Sequence, residues 1–222
     1  MDRVADGFIW PVRDPEWVTK VLVIGLLLLI PIVGAINGIG WMLATLDRLR
    51  AGEERLAPAN LSHLGRGVGL FVVQLGYGVA VGVVFSLIYV PAVVLASSHS
   101  HDTNANAAVI LVSIFLFFVA FAVALIGSLA VYFAQPAYVL ETDSRGIGGG
   151  FDLRAVWRRS RANPVYTLIT GLMLFAAGFI GSIGAVLCVV GVVFTAAYAL
   201  AVQAWIFRSF ELGSQAQPGK VS

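Results

Sequence analysis

The sequence predicts an all-α fold, a polytopic helical membrane bundle with about six membrane segments, and three observations lead to it. Fifty-nine per cent of the residues are hydrophobic, and the mean hydropathy is +0.91. Charged residues make up 12% of the chain, about half their share in a soluble domain. The 14 Lys and Arg residues fall into four short clusters separated by long uncharged runs. Because apolar runs cross a bilayer while cationic loops stay in the cytoplasm, this layout is typical of a multi-pass membrane protein.

The lengths of the uncharged runs decide most of the segment count. The last run, 162–207, has about 46 residues, or roughly 69 Å of helix, whereas one crossing needs about 20 residues. It is predicted to be a hairpin that turns at 178–184, where three glycines weaken the helix. The run 67–140 contains only one formal charge, Asp102. It must also cross twice, with its turn in the polar segment 97–106.

The first run, 21–46, has two interpretations because Pro31 and Gly34 interrupt its middle. Proline removes a backbone donor, which produces either a kink or a reversal. A kinked single span places at least one basic cluster on the outer side, whereas a reversal keeps all 14 cations on one side. The positive-inside rule favours the reversal. We therefore expect a shallow or re-entrant hairpin whose turn is buried in protein, with the kinked span as the alternative.

The expected architecture is a single integral membrane domain over residues 1–222, in the cell (plasma or inner) membrane, with both termini cytoplasmic. Trp10, Trp17, Trp157 and Trp205 lie near the expected cytoplasmic ends of spans, a depth that amphipathic rings favour. The predicted segments are about 17–30, 34–49, 67–96, 107–140, 163–181 and 184–208, with an interfacial amphipathic helix at about 150–161.

The expected spans lack the chemistry of several function classes. The stretches 21–46, 67–100, 104–140 and 162–207 contain no Asp, Glu, Lys or Arg, residues that mark proton relays and ion paths in membranes. Their isolated Ser and Thr have no His or acid nearby, so we expect no enzyme activity and no cofactor. No nucleic-acid partner is expected, although a net charge of +2 in so apolar a chain says little about one. The lone Cys188 excludes an intrachain disulfide. His99, His101 and Asp102 have metal-ligand chemistry, but a solvated loop is the favoured interpretation, and no metal site is predicted.

Small and polar residues within the spans have two interpretations each. The glycines put small residues on helix faces, either for docking to a partner or a second copy, or for packing within the bundle, which is favoured. The polar residues either bond across helices, which is favoured, or line a solute path. The glycines are Gly34, Gly38, Gly78, Gly82, Gly178, Gly181 and Gly184, and the polar residues are Asn37, Gln74, Gln135 and Gln203.

The segment 151–161 is the strongest functional candidate. At helical spacing Leu153, Val156, Trp157 and Ser160 share one side, and arginines line another. A basic amphipathic helix lies in the membrane interface and attracts anionic headgroups. Alternatively, the segment only keeps its loop inside the cell. The predicted headgroup ligands are Arg154, Arg158, Arg159 and Arg161.

Several short motifs resemble a known family. They include Asp14-Pro-Glu-Trp17-Val-Thr-Lys20, Pro31-Ile-Val-Gly34, Gly40-Trp41, Arg50-Ala-Gly-Glu-Glu54, Gly150-Phe151 and Asn163. In this order they resemble a prokaryotic family of uncharacterised membrane proteins, the domain-of-unknown-function family numbered 4013. The resemblance covers most of the chain and is most specific in the first fifty-odd residues. Two departures are Trp41 in place of the family's tyrosine and Leu56-Ala-Pro58 in place of its Leu-Pro. The resemblance implies a membrane fold and no catalytic residue.

These observations predict a non-catalytic membrane protein that serves as an accessory or scaffold subunit. Its expected partners are the lipid bilayer, with anionic lipid at the cytoplasmic face, and another membrane protein or a second copy. The alternative function is a passive carrier or channel for lipid or for a small, weakly polar solute.

Overall fold

The computed structural model describes residues 6–97, 103–186 and 188–215, and these residues form a chain of helices. A short helix α1 and a 3-10 turn, Trp10–Arg13, precede the first apolar helices, and a second 3-10 turn, Leu61–His63, precedes α4. The helices are α1 (Asp6–Ile9), α2 (Trp17–Leu28), α3 (Val33–Arg50), α4 (Leu64–Ser97), α5 (Thr103–Arg145), α6 (Ile147–Phe151), α7 (Leu153–Ala162), α8 (Pro164–Val186) and α9 (Cys188–Gln215).

The chain divides into two compact units, one of 1–73 with 132–222 and one of 74–131. In the first unit, α2, α3 and α8 all pack against α9. A cluster of buried residues holds α2, α3 and α9 together: Trp10, Val21, Ile24, Trp41, Leu56, Ala57, Ala197 and Ala201. The alanines of α9 bring its backbone close to its neighbours, which is how small residues promote packing between membrane helices.

The chain reverses between α2 and α3. Lys20 lies in the first turns of α2 and Arg48 near the end of α3, yet both donate to the carbonyl oxygen of Leu56, at 3.3 and 3.2 Å. The two outer ends of the pair therefore lie together, as in a hairpin and not in a single kinked helix. At the other end, the backbone of Gly34 approaches the carbonyl of Leu27 so closely that a β-carbon on Gly34 has no room.

The surroundings of this turn differ from the sequence expectation. We expected a turn buried in protein, but Leu29, Ile30 and Ile32 are exposed, Ile32 by 66%. The turn tolerates this because its backbone is bonded locally, for example from the N–H of Gly34 to the carbonyl of Ile30 at 2.9 Å. Ile32 has a φ of 64°, a strained conformation for a β-branched residue.

The second unit is an antiparallel pair formed by the distal parts of α4 and α5. Val81 lies beside Gly127, and the ring centroids of Tyr89 and Phe117 are 5.9 Å apart. Small residues such as Ala120 are buried within the unit. Its outer surface is apolar and exposed, and the largest exposed side chains include Leu87, Leu111, Phe115, Phe118 and Ile126. A surface of this kind is stable in hydrocarbon and costly in water.

The last hairpin corrects the prediction of a turn at 178–184. Helix α8 continues through Gly178 and Gly181 and ends at Val186. A glycine within a helix costs only about 1 kcal/mol relative to alanine, and packing of α8 against α9 offsets that cost. Thr195 of α9 donates to the carbonyl oxygen of Gly181 at 3.1 Å. The glycines thus lie in the helix that packs on α9 and do not end it.

Four helical stretches of the described chain are long and apolar enough to cross a membrane: Leu61–Ser97, Ala107–Arg145, Pro164–Ser182 and Val193–Gly213. The hairpin of α2 and α3 consists of shorter helices of 12 and 18 residues. At 1.5 Å per residue these reach about 18 and 27 Å, less than the roughly 30 Å of a hydrocarbon core. This short hairpin agrees with the shallow pair expected from the sequence.

The close approach at the α2–α3 turn gives a prediction for Gly34→Leu. The substitution should destabilise the protein by about 3 kcal/mol or more, because overpacking against backbone leaves no room to relax. Pro31→Ala should have a small effect, since Pro31 is exposed. Thermal unfolding in mild detergent measures both changes.

Gly65→Leu is the matched control, because nothing lies within 4 Å of a β-carbon built there. Protease accessibility of an N-terminal tag measures separately on which side of the membrane the N-terminus lies. Digestion of the tag from outside the cell in the unmodified protein would contradict the expected cytoplasmic N-terminus.

Candidate functional site: the charged end of the first unit

A buried group of hydrogen bonds around Asp14, called the polar knot below, connects the start of the chain to the loop after α3. Asp14 is 1% exposed, and its Oδ2 accepts from the N–H of Leu56 at 2.8 Å and from Nζ of Lys20 at 2.8 Å. The N–H of Glu16 donates to Oδ1 at 2.9 Å. Burial by itself raises the pKa of Asp14, but the bonds from Lys20, Glu16 and Leu56 outweigh burial and hold the pKa below its usual value. The carboxylate is therefore charged and satisfied.

The loop then runs along α3 and bonds to polar side chains spaced four residues apart. Asn37 donates to the carbonyl of Asn60 at 2.9 Å, and Trp41 Nε1 donates to the carbonyl of Ala57 at 3.0 Å. The N–H of Ala57 donates to Thr45 Oγ1 at 3.2 Å. Residues at this spacing share one helix face. The sequence predicts Asn37 only as one of four polar residues within the spans. The signal that identifies this face is the repeated spacing of Asn37, Trp41 and Thr45.

Arg50 and Arg66 connect the ends of four helices. Arg50 Nη1 lies 2.6 Å from Asp143 of α5, and its Nε lies 3.0 Å from Glu211 of α9. Arg66 of α4 binds the same Asp143 at 3.0 Å and also pairs with Asp47 of α3. A network of shared partners is stronger than isolated surface pairs, which contribute about 0–1 kcal/mol each. These arginines are thus used to hold helices together.

A third group of charges positions α7. Asp152 caps the helix by accepting from the N–H of Ala155 at 3.0 Å. This bond lowers the pKa of Asp152 more than burial raises it, and the nearby Arg145 lowers it further. Arg159 Nη1 donates to Glu141 of α5 at 2.9 Å. Ala155 and Val156 are buried on the same side. One face of α7 is therefore fixed to the protein.

The exposed face of α7 combines apolar and cationic side chains. Val156, which the sequence groups with Leu153 and Trp157, lies on the buried face instead. Leu153 and Trp157 are 64% and 61% exposed. Arg154 and Arg158 are also exposed, and within the described chain they have no ion-pair partner. Arg161 lies 4.6 Å from the ring centroid of Trp157, in a cation–π contact. The four arginines proposed from the sequence thus separate into one that binds Glu141 and three that face outward.

The seven glycines singled out in the sequence lie in different surroundings. Gly34 and Gly38 face the side chains or backbone of Leu27 and Leu28. Gly178 lies near Tyr132, and Gly181 near Ala199. Among the described residues, nothing lies within 4 Å of a β-carbon at Gly78 or Gly82. Gly184 belongs to α8, but its surroundings lie outside the described part of the chain.

The histidines form no metal centre in the described part of the chain. His99, His101 and Asp102 lie outside the described residues. Elsewhere, the described residues contain no group of three or more His, Cys, Asp or Glu that is placed to hold a metal ion. The His63 ring lies 2.9 Å from the carbonyl oxygen of Pro58, so it helps to hold the loop that bonds to α3.

The fold defines an all-helical membrane protein, with four helical stretches suited to crossing a bilayer. A model of a family described as protein of unknown function (DUF4013) matches residues 23–190. Because the match covers more than half of the 222 residues, the chain belongs to this family. Neither a curated protein nor a solved structure matches it.

The polar knot gives a prediction for Asp14→Asn, which should lower the free energy of unfolding by about 3 kcal/mol. The substitution removes the buried carboxylate charge and leaves the half-buried Lys20 ammonium with the more distant, exposed Glu16 carboxylate at 3.4 Å. Because the folded pKa of Asp14 is lowered, its contribution is present above its usual pKa and is lost as the pH falls through the folded pKa. The stability difference between wild type and variant should therefore shrink below about pH 4.

Denaturant unfolding in detergent between pH 3 and 7 measures this dependence. Glu16→Gln is the control, because the Glu16 carboxylate is 74% exposed although it lies near the same Lys20. An equal stability loss in Glu16→Gln, or a difference that is constant over the whole pH range, would show that Asp14 does not hold the knot.

Proposed function

We propose that this protein is a non-catalytic multi-pass protein of the cell membrane that serves as an accessory or scaffold subunit. In this proposal both termini are cytoplasmic, α7 holds the cytoplasmic end of the protein to anionic lipid, and α4 contacts another membrane protein or a second copy. The observation that carries the proposal is the outward face of α7, where exposed Leu153 and Trp157 lie beside Arg154 and Arg158.

The chemistry of this face fits an anionic leaflet. Leucine and tryptophan favour the boundary between headgroups and acyl chains, and each cation near an anionic surface contributes about 1 kcal/mol. Most other arginines of the first unit already bind carboxylates: Arg13, Arg50, Arg66, Arg145, Arg159 and Arg208. Arg154 and Arg158 have none of these internal partners, so lipid phosphate is the counter-ion that we assign to them.

The accessory role is supported by the open small-residue face of α4. Gly78 and Gly82 lie one turn apart, with space in front of both within the described structure. Glycines spaced four residues apart let two membrane helices approach closely and gain van der Waals contact. The absence of charged residues from the stretches 21–46, 67–100, 104–140 and 162–207 agrees with a role that requires no ion path.

The lipid part of the proposal is tested by replacing Arg154, Arg158 and Arg161 with glutamine. Loss of three cations should weaken binding to anionic vesicles by about 3 kcal/mol, or roughly a hundredfold. The unfolding temperature should change little, because the three side chains face outward. Co-sedimentation with vesicles containing phosphatidylglycerol, at several salt concentrations, measures the affinity.

Arg159→Gln is the matched control. It also removes a positive charge from α7, but it breaks the bond to Glu141. It should therefore lower stability and weaken lipid binding by no more than about 1 kcal/mol, the contribution of one cation. Unchanged vesicle binding in the triple variant would contradict the role of α7 in membrane attachment.

The accessory part is tested by Gly78→Leu combined with Gly82→Leu. Two bulky side chains should prevent close helix approach and abolish a stoichiometric partner or dimer in native mass spectrometry from mild detergent. Stability of the isolated protein should be kept, because both positions face open space. Gly65→Leu is the control outside this face. An entirely monomeric, partner-free wild type would contradict the accessory role.

A further inference from the structure

A groove at the charged end of the first unit has the composition of a lipid-headgroup site. Its volume is about 460 Å³. The walls come from the end of α3 and the turn after it, the start of α8 and the end of α9. The lining residues include a carboxylate pair, an arginine and two aromatic rings: Glu53, Glu54, Arg208, Tyr166 and Trp205.

The depth of the groove matches the headgroup region of a bilayer. Tyr166 lies two residues after the start of the span Pro164–Ser182, and Gly213 ends the span Val193–Gly213. The Tyr166 ring lies directly against the backbone of Gly213, so the two span ends meet at the groove. Tryptophan and tyrosine are typical of this interfacial depth. Leu212 is 49% exposed and gives the groove an apolar edge suited to acyl chains.

The charges in the groove differ in how far they are already neutralised. Glu54 bonds to Arg13 at 3.0 Å, and Arg208 bonds to Glu211 at 2.9 Å. The nearest guanidinium nitrogen to Glu53, from Arg48, is 3.9 Å away, which is longer than a hydrogen bond. The Glu53 side chain is also 56% exposed. Of the two carboxylates in the groove, Glu53 is therefore the more available to accept hydrogen bonds from a bound ammonium group.

We propose that this groove binds the headgroup of a zwitterionic phospholipid of the phosphatidylethanolamine class. The ammonium group lies between Glu53 and the aromatic walls, where a carboxylate and ring faces both attract a cation. The phosphate lies at Arg208, which bonds to Glu211 through one terminal guanidinium nitrogen and still has further N–H donors that suit phosphate oxygens. The acyl chains extend along Leu212 toward the hydrocarbon. The groove and the face of α7 thus select different headgroups, one by its ammonium and the other by net negative charge.

The test is lipid retention in native mass spectrometry, from nanodiscs with equal amounts of phosphatidylethanolamine and phosphatidylglycerol that carry identical acyl chains. Wild type should retain bound phosphatidylethanolamine. Glu53→Gln should lower the ratio of retained phosphatidylethanolamine to phosphatidylglycerol about fivefold, the equivalent of about 1 kcal/mol for a partly exposed ion pair. Tyr166→Leu, which removes a ring from the wall, should lower the same ratio.

Glu16→Gln is the matched control, because it removes an exposed carboxylate outside the groove and should leave the ratio unchanged. Circular dichroism and gel filtration confirm that the variants are folded. If Glu53→Gln and Tyr166→Leu both leave the ratio at its wild-type value, the proposal is overturned. Equal binding of water-soluble phosphoethanolamine and of the lipid would overturn the assignment to a lipid.

The triple arginine variant of α7 separates this proposal from the proposed function. It should lose affinity for phosphatidylglycerol while it keeps the phosphatidylethanolamine bound in the groove. If the variant loses both lipids equally, the groove has no preference of its own and the inference fails. The proposed attachment of wild-type α7 to anionic lipid would then still stand.

Discussion

The carboxylate of Asp14 is buried where three segments of the first unit meet, and the arrangement of the helices around it depends on its bonds. It accepts from Lys20 at the start of α2 and from the backbone of Leu56, whose carbonyl in turn accepts from Arg48 at the end of α3. An unpaired charge at this position is strongly destabilising. The bonds therefore require both ends of the first hairpin to lie at the same place, and this decides that α2 and α3 form a reversal.

From this knot the loop leads along α3, and its backbone groups are satisfied by side chains. Irregular backbone within a membrane protein is tolerated only where its polar groups find partners in the protein. Asn37 and Trp41 supply such partners from successive turns of one helix. The close contacts of Gly40 with the His63 carbonyl and of Gly67 with the Ile36 carbonyl then bring α4 against α3. Asn37, for which the sequence left a solute path as the less favoured alternative, is thus used for structure.

The arginines divide into those that hold helices and those that face outward. Arg50 and Arg66 share Asp143, so the ends of α3, α4 and α5 are joined by charges at one end of the unit. On α7, Arg159 serves the same purpose, whereas Arg154 and Arg158 are left exposed beside Trp157. This division matters for function, since only cations without internal partners keep their full attraction for lipid phosphate.

The sequence by itself determined the membrane class, the helical fold and the family, because the lengths of uncharged runs and the spacing of cations follow directly from bilayer thickness. It also favoured the reversal at Pro31, through the one-sided charges. The turn that the sequence predicts at 178–184 is wrong, because glycine only weakens a helix and packing against α9 decides whether the helix continues. The tertiary structure alone decided which arginines are paired and which glycines are covered. Glu141 lies 18 residues from Arg159, and Glu211 lies 161 residues from Arg50. Contacts between residues so far apart depend on how the helices pack, and local patterns in the sequence do not encode them.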